Sequence, residues 1–343
     1  MDERASIDTS FNWLGDPAVL MRAGGYEAIV VPSVGGNIIS LRDGSRKLDV
    51  LRSPPSGEAL RESPQIYGLP LLFLPNRIAE GTFSAGGRNY RLPIHETARG
   101  NHLHGFLHRK CFTVMRADIV DDETVDGSAA ELELSFLFDN DAPEFSYFPH
   151  AFRATQIYRL SREGLSHRIV FRNEGRERMP LGVGIHSNFK IPFAAGSGPH
   201  DCSVRASILK KWEVDENFRP TGRYPEFDEL DRRIAGTGFD PQSQPLKGRC
   251  YSSGSIGAGS GRFNGAVIED RHAGLRLVYE ADDVFKFWVL WNMDGSSGFV
   301  SIEPQSWVIN APNLDLPDAE TGMALLEPDS VWQGSCRLRI EKS

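Results

Sequence analysis

The chain has 343 residues, 40% of them hydrophobic and 24% charged, which is enough apolar content to bury a large core and argues against disorder. The formal net charge of -8, from 46 acidic and 38 basic side chains, argues against nucleic acid or an anionic membrane as the main partner, because both call for a basic footprint. A small neutral or locally compensated ligand fits better.

The acidic, polar start "MDERASIDTS" lacks the basic and apolar regions of an export signal, and no apolar run is long enough for a transmembrane helix. A cytoplasmic protein is expected, with residues 1–10 weakly ordered. Cys111, Cys202, Cys250 and Cys336 lie far apart without a Cys-x-x-Cys pair, so reduced thiols are the default reading.

In chain order, "LRDGSR", "AGGRN" and "RNEGRER" carry the Gly and Asn residues of tight hairpin turns. Strict alternation marks strands at Ala130 to Phe138, Leu275 to Ala281, Phe285 to Asn292 and Cys336 to Lys342. Helical periodicity is scarce, and 34 Gly and 21 Pro punctuate short apolar runs, so the expected class is all-β, an antiparallel sandwich or barrel. Gly196 to Gly261 is less regular and reads as loops on one face of a single domain spanning 1–343.

Four segments hold residues able to do chemistry. "GNHLHGFLHR" places His102, His104 and His108 close together, and a His-x-His pair on a strand aims both rings at one face. That suits a metal, a working imidazole beside a structural one, or hydrogen-bonded core histidines. A cupin-type metal site needs a nearby carboxylate, whereas Arg109 and Lys110 follow here, so no metal is expected.

His186 interrupts the apolar "PLGVGIHSNFKIP", where a satisfied core histidine is the plainer reading. Glu303 closes the apolar start of "SIEPQSWVINAPN" and is costly to bury without a partner or a role. Arg77 in "LPNRIAEG" either pairs with a surface carboxylate or holds ligand oxygens.

Together these segments resemble the aldose 1-epimerase (galactose mutarotase) family. "NRIAEGTFSAGGRNYRLPIHE" followed by "NHLHGF" is similar to its Asn-Arg-Ile, Gly-x-Phe, Gly-x-x-Tyr and Leu-His-Gly series. "GIHSNFKI" is similar to its Asn-His-x-Tyr-Phe, "RPTG" to its Pro-Thr-Gly turn, "SIEPQSWVINAPN" to its Glu-Pro-Gln strand, and "GGNIISLRDGSRKLDVL" to its opening hairpin. The resemblance runs from about Glu27 to the C-terminus, and its weight lies in the order of the motifs.

What the resemblance implies is a galactose-mutarotase-like super-β-sandwich with a sugar cleft, interconverting the α- and β-anomers of a hexose without a cofactor. His186 would be the general acid, Glu303 the general base and His104 a second imidazole positioning the sugar, with His102 and His108 structural. Asn76 and Arg77 would hold sugar oxygens, and Asn188 stands at the family's tyrosine. One acid and one base, on opposite sides of the anomeric centre, suffice to open the ring, let C1 rotate and close it again.

The sequence departs from the family in "LKGRCYSSG", where Gly248 and Arg249 stand in the place of a sugar-binding aspartate. Asp228, Asp231 or Asp240 could supply that carboxylate, and Arg249 facing the cleft would suit a phosphate, sulfonate or carboxylate on the sugar. Beside the mutarotase reading stand a non-catalytic sugar-binding protein on the same fold, an epimerase for an acidic hexose and a metal-dependent cupin-like enzyme. Monomer and homodimer both stay open.

Overall fold

The computed structural model describes residues 4–121, 127–258 and 261–343, and among them antiparallel strands dominate, as the alternation predicts. The largest sheet runs in the order Thr113–Asp121, Ser128–Phe138, Phe152–Ser161, Gly164–Asn173, Val331–Lys342, Leu275–Ala281, Gly265–Asp270 and Cys202–Ala206. The sheet that carries the site runs Ile208–Trp212, Arg249–Ser253, Phe287–Trp291, Phe299–Gln305, Gly184–Ile185 and Leu71–Leu72, with Asn188–Lys190 also paired to Phe299–Gln305. A smaller sheet holds Ser6–Asp8, Val19–Ala23, Tyr26–Val31, Asn37–Asp43 and Leu48–Asp49.

The central strands of the site sheet, "FWVLW" and "FVSIEPQ", are buried on both faces, because both faces are covered. A continuous apolar cluster that includes Leu134, Phe152, Tyr158, Phe189, Trp288 and Val300 joins the sheets. The chain is all-β, a sandwich of antiparallel sheets, as expected.

Two expectations need correction. Within residues 1–10, Ser6–Asp8 forms a strand paired with Val19–Ala23 rather than a loose tail. The stretch from 196 to 261 is not loops alone, since it holds Cys202–Ala206, Ile208–Trp212, the helix Glu229–Ala235 and Arg249–Ser253. The first two are edge strands of the large and site sheets. They carry Arg205, Lys210 and Lys211, and charged side chains are how edges avoid pairing with other chains.

Candidate active site

The site is built around Phe299–Gln305. Gly184 pairs with Gln305 and Asn188 with Ser301, so position 186 falls opposite position 303 across the two strands. His186 and Glu303 meet there, with Nε2 3.3 Å from Oε1 and both residues buried. Because side chains two apart share a face, Asn188, Ser301 and Gln305 surround the same pair.

Asn188 fixes the imidazole. Its Nδ2 donates to the His186, Gln65 and Gly68 carbonyls, which turns its Oδ1 toward His186 Nδ1 at 3.1 Å and Ser301 Oγ at 2.6 Å. Nδ1 therefore donates, and in the neutral ring Nε2 is the acceptor facing Glu303. Gln305 Nε2 donates to Glu303 Oε2 at 3.2 Å, while Gln305 Oε1 is buried without a partner.

Burial shifts both groups toward their neutral forms. It pushes the Glu303 carboxyl up to about 8, opposed by Arg77 and Gln305. It pushes the His186 imidazole down to about 4, opposed by the bond to Asn188, with the Arg77 and Arg52 cations adding to the fall. The two shifts agree on one proton between the pair, resting on Glu303.

His104 comes to this pair from another direction. The strand Asn101–Leu103 ends just before it, and His104 adopts φ 62°, a left-handed conformation that non-glycine residues seldom take. The same-face expectation for His102 and His104 fails for that reason. His102 turns away to place Nδ1 2.7 Å from the Pro93 carbonyl, whereas the His104 ring lies 5.3 Å from that of His186. His104 Nδ1 is buried without a partner, and burial, followed by the His186 charge, holds the ring well below its ordinary value.

Gly105 permits this turn, since a Cβ there would lie 1.8 Å from the Phe73 carbonyl oxygen. His108, also buried, packs edge-on against His104 with ring centroids 6.4 Å apart.

Asn76, likewise left-handed at φ 58°, accepts the His104 N–H on its carbonyl at 2.8 Å. Arg77 is gripped by Glu96 through two bonds of 2.8 and 2.9 Å, and its Nη1 donates to Asn76 Oδ1 at 3.2 Å. The guanidinium covers the Phe218 ring at 4.8 Å and lowers Glu303 by its charge. "RPTG" has a bracing part, with Arg219 donating to Asn101 Oδ1 and to the Arg99 carbonyl, each at 2.8 Å.

Two sequence-stated ligand candidates do not line the pair as expected. Asn188 is fully buried with its amide committed, so it positions His186 rather than meeting a sugar. Arg249 pairs with Leu290, which pairs with Ile302, so it projects from the face opposite Glu303. There it is ion-paired to Asp228 and Asp231, and Tyr251 donates to the same Asp231 at 2.6 Å. Asp231 is wholly buried in that network and does not replace the missing aspartate.

Gln305 and Trp291 also meet the pair, although no motif marks them as site residues. Trp291, paired with Ser301, sets its ring edge-on to His186 at 5.9 Å. The signal for Gln305 was its place two residues beyond Glu303, on the same face.

The sequence pattern of aldose 1-epimerases matches residues 17–339. The chain belongs to the aldose 1-epimerase family. A galactose mutarotase-like protein from Clostridium acetobutylicum superposes with a TM-score of 0.95 at 35% identity, covering 100% of both chains. A galactose 1-epimerase from Lactobacillus acidophilus NCFM shares the fold, with a TM-score of 0.72 at 13% identity over 100% of both chains. The uncharacterized protein YihR of Escherichia coli (strain K12) is 27% identical over 230 residues, 65% of this chain and 67% of its own. Within this family the fold expected from the motif order is the fold observed.

No helix among the described residues is long and apolar enough to cross a membrane.

Proposed function

We propose that the protein is an aldose 1-epimerase interconverting the α- and β-anomers of a hexose, with Glu303 as base and His186 as acid. The observation that carries this reading is the buried contact of 3.3 Å between His186 Nε2 and Glu303 Oε1. O1 and the ring oxygen O5 are both bonded to C1, so the groups serving them must lie within a few ångströms of each other.

The protonation of the free pair already has the right count. Glu303 with its proton beside a neutral imidazole, and a Glu303 carboxylate beside an imidazolium, hold the same single proton. Sugar hydroxyls and Arg77 favour the second arrangement by hydrogen bonding and charge. In it, the carboxylate takes the O1 proton while imidazolium Nε2 protonates O5, the C1–O5 bond breaks, and an open-chain aldehyde forms. C1 turns about C1–C2, and the reverse transfers close the ring on its other face.

A carboxyl pushed up to about 8 is a base matched to neutral pH. His104, neutral and with an unpartnered nitrogen, and Asn76 beside it are placed to hold the sugar, while Arg77 stabilises charge on oxygen. The four unpaired cysteines support a reducing compartment and so a cytoplasmic location.

The test is polarimetry of freshly dissolved single anomers of galactose, glucose and their 6-phosphates. Acceleration of at least one toward its equilibrium rotation is expected. Saturable sugar binding with no acceleration of any would identify a sugar-binding protein instead.

A further inference from the structure

With Arg249 neutralised on the far face, a different cation stands beside His186. Arg52 lies over the Phe299 ring at 3.8 Å and the Tyr67 ring at 5.1 Å. Phe299 touches Trp291 edge-on at 5.5 Å, and Trp291 in turn touches His186. The Arg52 N–H donates to the carbonyl of Asn188, the residue that holds the imidazole, at 2.9 Å.

Among the described residues Arg52 has no carboxylate in ion-pair contact, and its Nη1 is buried with no hydrogen-bond partner. Leaving a buried guanidinium N–H unsatisfied is costly, and the two aromatic rings hold its plane by cation–π contact but accept no hydrogen bond from Nη1. Two more buried polar atoms are orphaned: Ser53 Oγ, next in the chain, and Oε1 of Gln65, in the turn Pro64–Ile66, whose carbonyl accepts from Asn188. Such a concentration of unmet donors and acceptors beside a reactive pair marks the place of a polar ligand.

We propose that Arg52 is the receptor for an anionic group on C6 of the hexose, so that the substrate class is a hexose bearing phosphate, sulfonate or carboxylate there. The placement rests on the reading of His186 as the acid at O5. C6 is carried by C5, the ring neighbour of O5, so it projects on the His186 side of the sugar. Arg52 is on that side too, since its backbone N–H holds the Asn188 carbonyl and its guanidinium lies over Phe299, which meets Trp291 and through it His186.

Calorimetric titration of glucose, glucose 6-phosphate, 6-deoxy-6-sulfoglucose and glucuronate, with inorganic phosphate as a bare probe, tests this in wild type, Arg52→Gln and Arg52→Lys. Wild type should bind one anionic hexose at least tenfold more tightly than glucose, and the three anions identify which group fits. That preference should fall at least tenfold in Arg52→Gln, be partly retained in Arg52→Lys, and shrink as salt rises. Equal binding of glucose and all three anionic sugars by wild type overturns the proposal. So does a preference that persists in Arg52→Gln, even if the variant melts at lower temperature, because Arg52 is then structural only. Binding needs no turnover, so an Arg52-dependent anion preference without anomer exchange would sink the acid–base reading and leave Arg52 standing as the receptor for the anionic group, without the orientation drawn from O5.

Discussion

His186 Nε2 and Glu303 Oε1 face each other at 3.3 Å, His186 from the break between two short strands that both pair with the strand of Glu303, and burial shifts the two groups in opposite directions. Glu303 moves up to about 8 and His186 down to about 4, so between those values the free pair holds one proton.

That proton sets the pH dependence. Below about pH 4 a second proton occupies His186 and no base remains; above about pH 8 the last proton leaves and no acid remains. The expected kcat/KM profile, after subtraction of buffer-catalysed mutarotation, is therefore a bell with limbs near those two values. A rate still rising above pH 9 would show that the proton on this pair is not used.

Asn188 should act through His186 alone. Asn188→Asp puts a carboxylate where the amide oxygen now meets Nδ1, which raises the imidazole pKa and moves the acidic limb upward by about one unit or more. The lost Nδ2 bonds to buried carbonyls should cost about 1 to 3 kcal/mol of stability, read by denaturant unfolding. An unshifted limb would separate Asn188 from the working imidazole.

Arg249 should matter for folding and not for sugar choice. Arg249→Ala removes a partner of the buried Asp231, expected to cost about 1 to 3 kcal/mol, while the relative kcat/KM for neutral and anionic hexoses stays as in wild type. A selective loss for anionic hexoses would return Arg249 to the cleft.

Removal of a proton from O1 makes the free hydroxyl obligatory. Methyl α- and β-glycosides of an accepted hexose should bind yet show no interconversion by NMR, since O1 then carries no proton for Glu303 to take. Interconversion of a methyl glycoside would require a route other than ring opening.

The fold was legible because alternation is a local property, and "LRLVYEA" forms its strand at the residues where the period of two places it. His186 and Glu303 were legible from motif order. What was not legible depends on pairing. Whether Arg249 faces Glu303 follows from its register with Leu290 and Ile302, which no local pattern reveals. His104 escaped the alternation rule because its strand stops one residue short and the chain turns left-handed. Arg52, in "LRSPP", belongs to no motif, and only the fold brings Tyr67 and Phe299 against it.

The most direct test of the account is the rate of anomer exchange in Glu303→Gln and His186→Asn, measured by magnetisation transfer between the α and β H1 signals of the hexose that wild type accelerates best. Each variant should keep its circular dichroism and lose about 10² to 10⁴ in enzyme-catalysed exchange, the range for removing a positioned base or acid. Near wild-type exchange in either would contradict the assignment of that residue, and in both would place the chemistry elsewhere in the molecule.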